Sequence, residues 1–147
     1  MDQLKIKRLR PDARIPARAT QGSAGYDLCA CLEEPAVIPA RGRAVIPTGI
    51  AIDLGNRGLA GFVFARSGLA IKHGLAPSNC VGVIDSDYRG EVMVGITNHS
   101  DADYTIAPGE RIAQLILLPV LLPEPVEADE LDDTARGAGG FGSTGRH

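Results

Sequence analysis

Aromatic side chains are scarce in this 147-residue sequence: they make up 4% of it, and tryptophan is absent. The hydrophobic core must therefore rest on Val, Ile, Leu and Ala, within an apolar content of 44% that is typical of a globular domain. No apolar run reaches the roughly 20 residues that a membrane-spanning helix needs, and the N-terminus lacks the apolar stretch of a signal peptide. We therefore expect a single cytoplasmic domain with no membrane partner.

Cysteine is also rare: Cys29, Cys31 and Cys80 are an odd number in a chain without a secretion signal. A disulfide framework is not expected under these conditions. The closely spaced pair and the distant Cys80 could hold zinc, but no fourth ligand is evident at suitable spacing. Small buried thiols are therefore the favoured interpretation.

Positive charge is in short supply, since 18 acidic residues outnumber 15 basic ones and leave a net charge of −3. A protein that coats nucleic acid needs a basic surface, so nucleic acid is not an expected partner. A small polyanion could still bind where a few arginines and a metal ion supply local positive charge.

Aliphatic residues at every second position form the main pattern that is present, as Ile50, Ile52 and Leu54 share one face and Val92, Val94 and Ile96 another. Turn-forming residues interrupt these runs at intervals of roughly 8–12 residues, which is typical of an antiparallel sandwich or barrel. A short helical segment is expected at 67–73. We predict an all-β fold, a jelly-roll-like distorted β-barrel with one short helix.

The C-terminal part departs from this pattern, which suggests three regions. Residues 1–118 are expected to form the β domain, and residues 119–133, with three prolines and six acids, an arm. Residues 134–147 are rich in glycine, and by composition alone they are a flexible tail.

Several segments carry residues with chemical potential. The acidic segment 85–91 lies between apolar runs, which predicts a β-hairpin; its carboxylates could be merely solvated, or one could take a proton from water or bind a metal. Arg66, Ser67 and Gly68 offer groups that hold phosphate where a strand enters a helix. Asp27 and Gln114 are polar residues in apolar strands, where structural and functional roles both remain open.

Five segments together resemble the motifs of the trimeric deoxyuridine triphosphatase (dUTPase) family, in order and approximate spacing: 24–28, 66–70, 82–90, 109–115 and 136–145. The resemblance extends over residues 4–146, and five ordered motifs are far more specific than one. It implies hydrolysis of dUTP to dUMP and pyrophosphate by water that attacks the α-phosphorus. Such an enzyme keeps uracil out of DNA and supplies dUMP for dTMP synthesis.

The resemblance also implies a role for each matching residue. Asp85 matches the aspartate that activates the water, and Tyr88 the aromatic residue that leaves no room for a 2′-hydroxyl group. The other implied substrate contacts are Asn79, Gly82, Val83, Ile84 and Met93 around the nucleoside, and Arg66, Ser67, Gly68 and Gln114 at the phosphates. From the tail, Arg136, Phe141, Gly142, Ser143 and Thr144 are expected to close over the nucleotide.

Magnesium and a homotrimer with shared active sites are further implications. Mg²⁺ is expected on the triphosphate oxygens, with Asp27 reaching it through water. Each site would combine phosphate motifs, uracil motif and tail from three subunits, with the arm carrying the tail across. Ala65 departs from the family, which more often has Pro or Gly there, but this change removes no functional group.

Two rival functions share the same fold. A dCTP deaminase would need a catalytic glutamate that falls at Gly95, which has no side chain. A non-catalytic nucleotide-sensing protein would not need Asp85, Tyr88 and Phe141 together. The triphosphatase is therefore the preferred hypothesis.

Overall fold

The computed structural model describes residues 3–141 and 143, and in that part the chain forms eleven strands and one helix. The strands are β1 (Lys5–Arg8), β2 (Tyr26–Cys29), β3 (Ala36–Ile38), β4 (Arg43–Pro47), β5 (Ile50–Asp53), β6 (Leu59–Ala65), β7 (Leu75–Pro77), β8 (Gly82–Ile84), β9 (Met93–Asn98), β10 (Tyr104–Ile106) and β11 (Arg111–Pro119). The helix, α1 (Ser67–His73), lies between β6 and β7.

The strands pair antiparallel in four sheets. The largest has the order β2-β11-β6-β8, a second the order β4-β9-β7, and the pairs β1-β5 and β10-β3 complete the set. Strand β11 lies centrally in the largest sheet, paired with β6 from Ala113↔Ala65 to Pro119↔Leu59. The all-β, jelly-roll-like prediction is confirmed.

The core is aliphatic, as the lack of aromatic residues required. Leu28, Ile38, Ile50, Ile106 and Leu115 have no exposed surface. Burial of each such side chain contributes about 1.5–3 kcal/mol relative to an exposed one. The shared faces predicted in segments 50–54 and 92–96 are confirmed, because the side chains at 50, 52 and 54 and at 92, 94 and 96 are all buried in the core.

Helix α1 spans the predicted residues, and the backbone conformation at each end explains these bounds. It begins after Arg66, whose backbone is extended, and ends at Gly74, whose φ angle of 69° is left-handed. The N–H group of Gly74 bonds to carbonyl groups of the last turn, a cap that favours glycine. Arg66 therefore lies at the junction between β6 and the helix.

The predicted hairpin at 85–91 is wrong. Strand β8 pairs with β6 in one sheet, whereas β9 pairs with β4 and β7 in another. The loop between them bonds instead to the start of β5 and to the turn before it: the Val92 amide donates to the Ile50 carbonyl over 2.8 Å, and the Thr48 hydroxyl donates to the Val92 carbonyl. These bonds draw the chain away from β8 and leave a gap between the two sheets.

The cysteines occupy three different environments. Cys31 is buried and Cys29 is half-buried, and burial raises the pKa of both thiols. Cys80 is exposed, because it lies on a turn with a left-handed φ angle of 64°. The interpretation as buried thiols is therefore correct for Cys31 and wrong for Cys80.

After β11 the described chain is extended and exposed. Leu121, Val126 and Leu131 all have more than four-fifths of their surface open to solvent. Among the described residues, no helix has the length and apolarity to cross a membrane.

Candidate active site

One cavity, which we call the Tyr88 cavity, lies in the gap between the two larger sheets. It has a volume of about 280 Å³. Its wall contains the nucleoside-side residues that were predicted outside the tail, together with the predicted general base Asp85: Asn79, Gly82, Val83, Ile84, Asp85, Tyr88 and Met93. Gly95 also lines it, so the position where a deaminase would need its glutamate presents only backbone.

The Tyr88 side chain is folded back over its own loop. Its amide donates to the Asp85 carbonyl over 3.1 Å, and its hydroxyl donates to the Glu91 carbonyl over 3.0 Å. A Cβ atom built on Gly90 would lie 2.6 Å from Cζ of the Tyr88 ring. Gly90 is thus the residue that allows the ring to form this wall.

Two charged contacts hold the loop from opposite sides. Arg89 Nη2 lies 2.8 Å from Asp53 Oδ1 on β5, and Arg89 Nη1 donates to the carbonyls of Ser86 and Tyr88. On the other side, Glu91 Oε1 accepts from Arg10 Nη2 at 2.5 Å and from the Gly49 amide at 2.7 Å. Sequence reasoning missed these contacts, because the partners lie 36 and 81 residues apart.

A second cavity, the Arg66 cavity, lies at the other end of the largest sheet and has a volume of about 460 Å³. It contains the phosphate-side residues that were predicted outside the tail, and Asp27, which was predicted to reach magnesium through water; its lining is Ala19, Ser23, Ala24, Gly25, Asp27, Arg66, Ser67, Gly68 and Gln114. Strands β2, β6 and β11 position these residues, since Gln114 stands opposite both Asp27 and Phe64.

Close packing sets the position of Gln114. Its amide nitrogen donates to the Ala65 carbonyl over 2.9 Å. The alanine at this position, where the family more often has Pro or Gly, therefore still provides the backbone acceptor. A Cβ atom on Gly25 would lie 2.6 Å from Oε1 of Gln114. The glycine therefore leaves the room that this side chain fills.

Asp27 is held between two arginines. Its Oδ1 accepts from Arg66 Nε and its Oδ2 from Arg111 Nη1, each at 3.0 Å. The Asp27 side chain is 18% exposed, and one carboxylate against two guanidinium groups leaves the cluster with a net positive charge. Such a surface attracts anions.

The fit of this cluster to magnesium is limited. The residues that the structure describes contain no group of three or more side chains suited to holding a metal ion. Each oxygen of Asp27 already accepts from an arginine, although a carboxylate oxygen has a second lone pair that can accept from water. The residues thus fit an ion that is held by ligand phosphates and touched only through water.

The described part of the tail lies away from both cavities. Its backbone bonds stay within it, from Gly137 to Thr134, from Gly139 to Arg136 and from Ser143 to Gly140. Phe141 is fully exposed with a left-handed φ angle of 40°, and Arg136 is exposed. Gly142 and Thr144 lie outside the described residues.

One chain therefore brings the predicted residues together in two groups. Asp85 and Tyr88 line one cavity, and Arg66, Ser67 and Gln114 line the other; within residues 3–141 and 143 no residue lines both.

Comparison with known proteins gives consistent results. The family model described as dUTPase matches residues 11–145. The deoxyuridine 5′-triphosphate nucleotidohydrolase of Desulfitobacterium hafniense (strain DSM 10664 / DCB-2) is 50% identical over 145 residues, which cover 97% of this chain and 96% of that protein. The solved dUTPase of Staphylococcus bacteriophage 80alpha with dUPNHPP is 31% identical with a TM-score of 0.89, covering 99% of both chains. A mutant dUTPase of phage phi11 of S. aureus, solved with a structural Mg(II) ion, is 28% identical with a TM-score of 0.79, covering 88% of this chain and 98% of that one.

Proposed function

This chain belongs to the dUTPase family and is a dUTP diphosphatase, and on that premise we propose that Asp85 activates the water that attacks the α-phosphorus of dUTP. The observation that carries this proposal is the place of Asp85 on the wall of the Tyr88 cavity, where its side chain is open to solvent. A carboxylate that accepts a proton from an attacking water contributes typically 10²–10⁴-fold to a rate.

Recognition of the nucleoside is assigned to the Tyr88 cavity. The backbone of Gly82, Val83 and Ile84 reads the uracil edge, with Asn79 and Met93 beside the nucleoside. Tyr88 excludes a 2′-hydroxyl group, a role that the fixed position of its ring over Gly90 supports. A steric wall of this kind discriminates more strongly than a weak added contact.

Binding of the triphosphate is assigned to the Arg66 cavity. Arg66, Ser67, Gly68 and Gln114 contact phosphate oxygens, a role that the positive charge of the cluster supports. Mg²⁺ on the triphosphate neutralises part of its charge, with Asp27 touching the ion through water. In the phi11 relative a structural Mg(II) ion is present.

A homotrimer, as the family resemblance implies, completes the site. The two cavities of one chain share no lining residue among those that the structure describes, which supports a site built from the Tyr88 cavity of one subunit and the Arg66 cavity of another. Residues 1–118 form the catalytic domain, the arm 119–133 crosses to a neighbour, and the lid 134–147 closes there. In the lid Arg136 pairs with phosphate, Phe141 stacks on uracil, and Gly142, Ser143 and Thr144 follow the phosphates.

In the cell this activity keeps uracil out of DNA and supplies dUMP for dTMP synthesis, in the cytoplasm.

The decisive experiment compares Asp85→Asn with Asp87→Asn, a matched change in the same exposed loop. We expect the Asp85 variant to bind the α,β-imido analogue of dUTP normally while its kcat falls at least about 100-fold, and the Asp87 variant to keep its kcat. A kcat for Asp85→Asn within a few-fold of the unaltered enzyme would remove Asp85 as the base. Pyrophosphate release from dUTP, and not from dCTP, dTTP or UTP, tests the specificity in the same assay.

A further inference from the structure

Beside the Arg66 cavity lies an arginine, Arg111, for which neither the sequence motifs nor the roles proposed above provide a function. Arg111 lies at the start of β11 and does not line the cavity, yet its guanidinium contacts Asp27 Oδ2 at 3.0 Å. Asp27 in turn contacts Arg66 through its other oxygen at 3.0 Å. The contacts form a continuous chain from Arg111 through Asp27 to Arg66.

This chain of contacts fixes the direction in which Arg66 points. Nε of Arg66 donates to Asp27, and Nη1 donates to the backbone carbonyl of Arg111 over 3.4 Å. Within the described residues Nη2 of Arg66 makes no hydrogen bond. Because a guanidinium group is planar and its donors form a rigid fork, partners on Nε and Nη1 fix the orientation of the whole group and so the position of Nη2.

The geometry points to Arg111 and Asp27 as positioning residues for the phosphate contact of Arg66. Asp27 spans the two guanidinium groups, and Arg111 anchors Asp27 so that the carboxylate holds Arg66 in place before the ligand arrives. An arginine that is already oriented loses less conformational freedom on binding. Arg111 thus acts on the ligand through Arg66 and not by contact of its own.

The inference rests on the proposed phosphate role of Arg66, and a double-mutant cycle separates the two. The variants are Arg66→Gln, Arg111→Gln and the double change, with Arg41→Gln as matched control, because Arg41 makes an exposed pair with Asp101 at 2.8 Å away from both cavities. The dissociation constant of the α,β-imido analogue of dUTP is measured by calorimetry in EDTA. Without magnesium, any effect comes from the protein's own residues.

We expect Arg111→Gln to weaken binding about tenfold, as the loss of a charge-assisted contact does. The double variant should bind within about twofold of Arg66→Gln alone, since residues that act through one another are not additive. Deoxyuridine, which has no phosphate, should bind all variants equally, and Arg41→Gln should behave as the unaltered enzyme.

Each other outcome contradicts a specific step. If Arg66→Gln binds normally, the proposed phosphate role of Arg66 is wrong and the inference falls with it. If Arg66→Gln weakens binding while Arg111→Gln does not, only the inference is wrong. Fully additive effects would mean that Arg111 touches the ligand directly.

A second pair of variants tests two alternative explanations: that Arg111 affects only the stability of the fold, and that Asp27 acts only on the metal ion. Arg111→Lys keeps the charge and should recover part of the affinity without a change in melting temperature. Asp27→Asn should weaken binding in EDTA at least as much as Arg111→Gln. If it leaves binding in EDTA unchanged and only raises the Mg²⁺ concentration needed for half-maximal turnover, Asp27 serves the metal and the inference is overturned.

Discussion

Replacement of Gly90 by alanine moves the Tyr88 ring without removing it. The added methyl group would lie 2.6 Å from Cζ of the ring and closer still to the hydroxyl group. Such a contact is too short to persist, so the ring has to turn outward. The φ angle of Gly90 lies in the range open to L-residues, so the backbone itself accepts alanine.

The stability cost should be small, because Tyr88 is 46% exposed and can move into solvent. What is lost is the hydrogen bond from its hydroxyl to the Glu91 carbonyl, which is worth about 1 kcal/mol. The functional cost should be larger, since the wall against a 2′-hydroxyl group goes with the ring. We expect the kcat/KM for UTP relative to dUTP to rise at least about tenfold, the lower end of what one steric contact discriminates.

Steady-state turnover of dUTP and UTP provides the assay. Tyr88→Phe is the first comparison, because it removes the hydroxyl group and keeps the ring near the wall; its ratio should change much less. Gly22→Ala is the second, since a Cβ atom there meets nothing within 4 Å. An unchanged UTP/dUTP ratio in a folded Gly90→Ala enzyme would refute the role given to the ring.

Two further predictions concern the tail and the pH dependence of stability. Truncation after Asp133 should leave the melting temperature and the number of subunits unchanged, because the backbone bonds of the tail are internal to it, while dUTP turnover falls severely; normal turnover would exclude a lid. Burial, and then the hydrogen bond to Glu110, raises the pKa of Tyr104 to about 12 from its usual 10. Because the folded state favours the neutral phenol, this stabilisation is complete below pH 10 and is lost between pH 10 and 12. In urea unfolding, the free energy of unfolding should fall less between pH 9 and pH 11 for Tyr104→Phe than for the unaltered chain. An equal fall in both would contradict a contribution from the Tyr104 phenol.

The sequence predicts the local secondary structure better than it predicts which strands pair. Period-2 patterns predicted the strands around Ile50 and Val94, and Gly74 closes the predicted helix, because these signals are local. The hairpin prediction failed at 85–91, because strand, acidic turn and strand are also the pattern of a crossing between sheets. Only the hydrogen bonds of Val92 to Ile50 and Thr48 distinguish a crossing from a hairpin, and these partners lie more than 40 residues away.

The candidate site shows the same division. The resemblance of five ordered motifs to the family grouped Asp85 with Tyr88 and Arg66 with Gln114, and the structure brings each pair to a common cavity. The supporting charges were missed, because Arg111 lies 84 residues from Asp27 and Arg10 lies 81 from Glu91. An arginine in a strand end or a loop is ordinarily a solvated residue, so its type alone carries no signal.

The placement of the phosphate residues follows from the same pattern that builds the core. Asp27 precedes the fully buried Leu28 in β2, and Gln114 precedes the fully buried Leu115 in β11. Because successive side chains of a strand face opposite sides, a slip of one residue in either strand would turn a leucine to solvent and a polar group into the core. Exposure of the two leucines would then lower the free energy of unfolding by about 3–6 kcal/mol in total, and Asp27 would lose its partners. The stability of the sheet therefore enforces the register that presents Asp27 and Gln114 to the cavity.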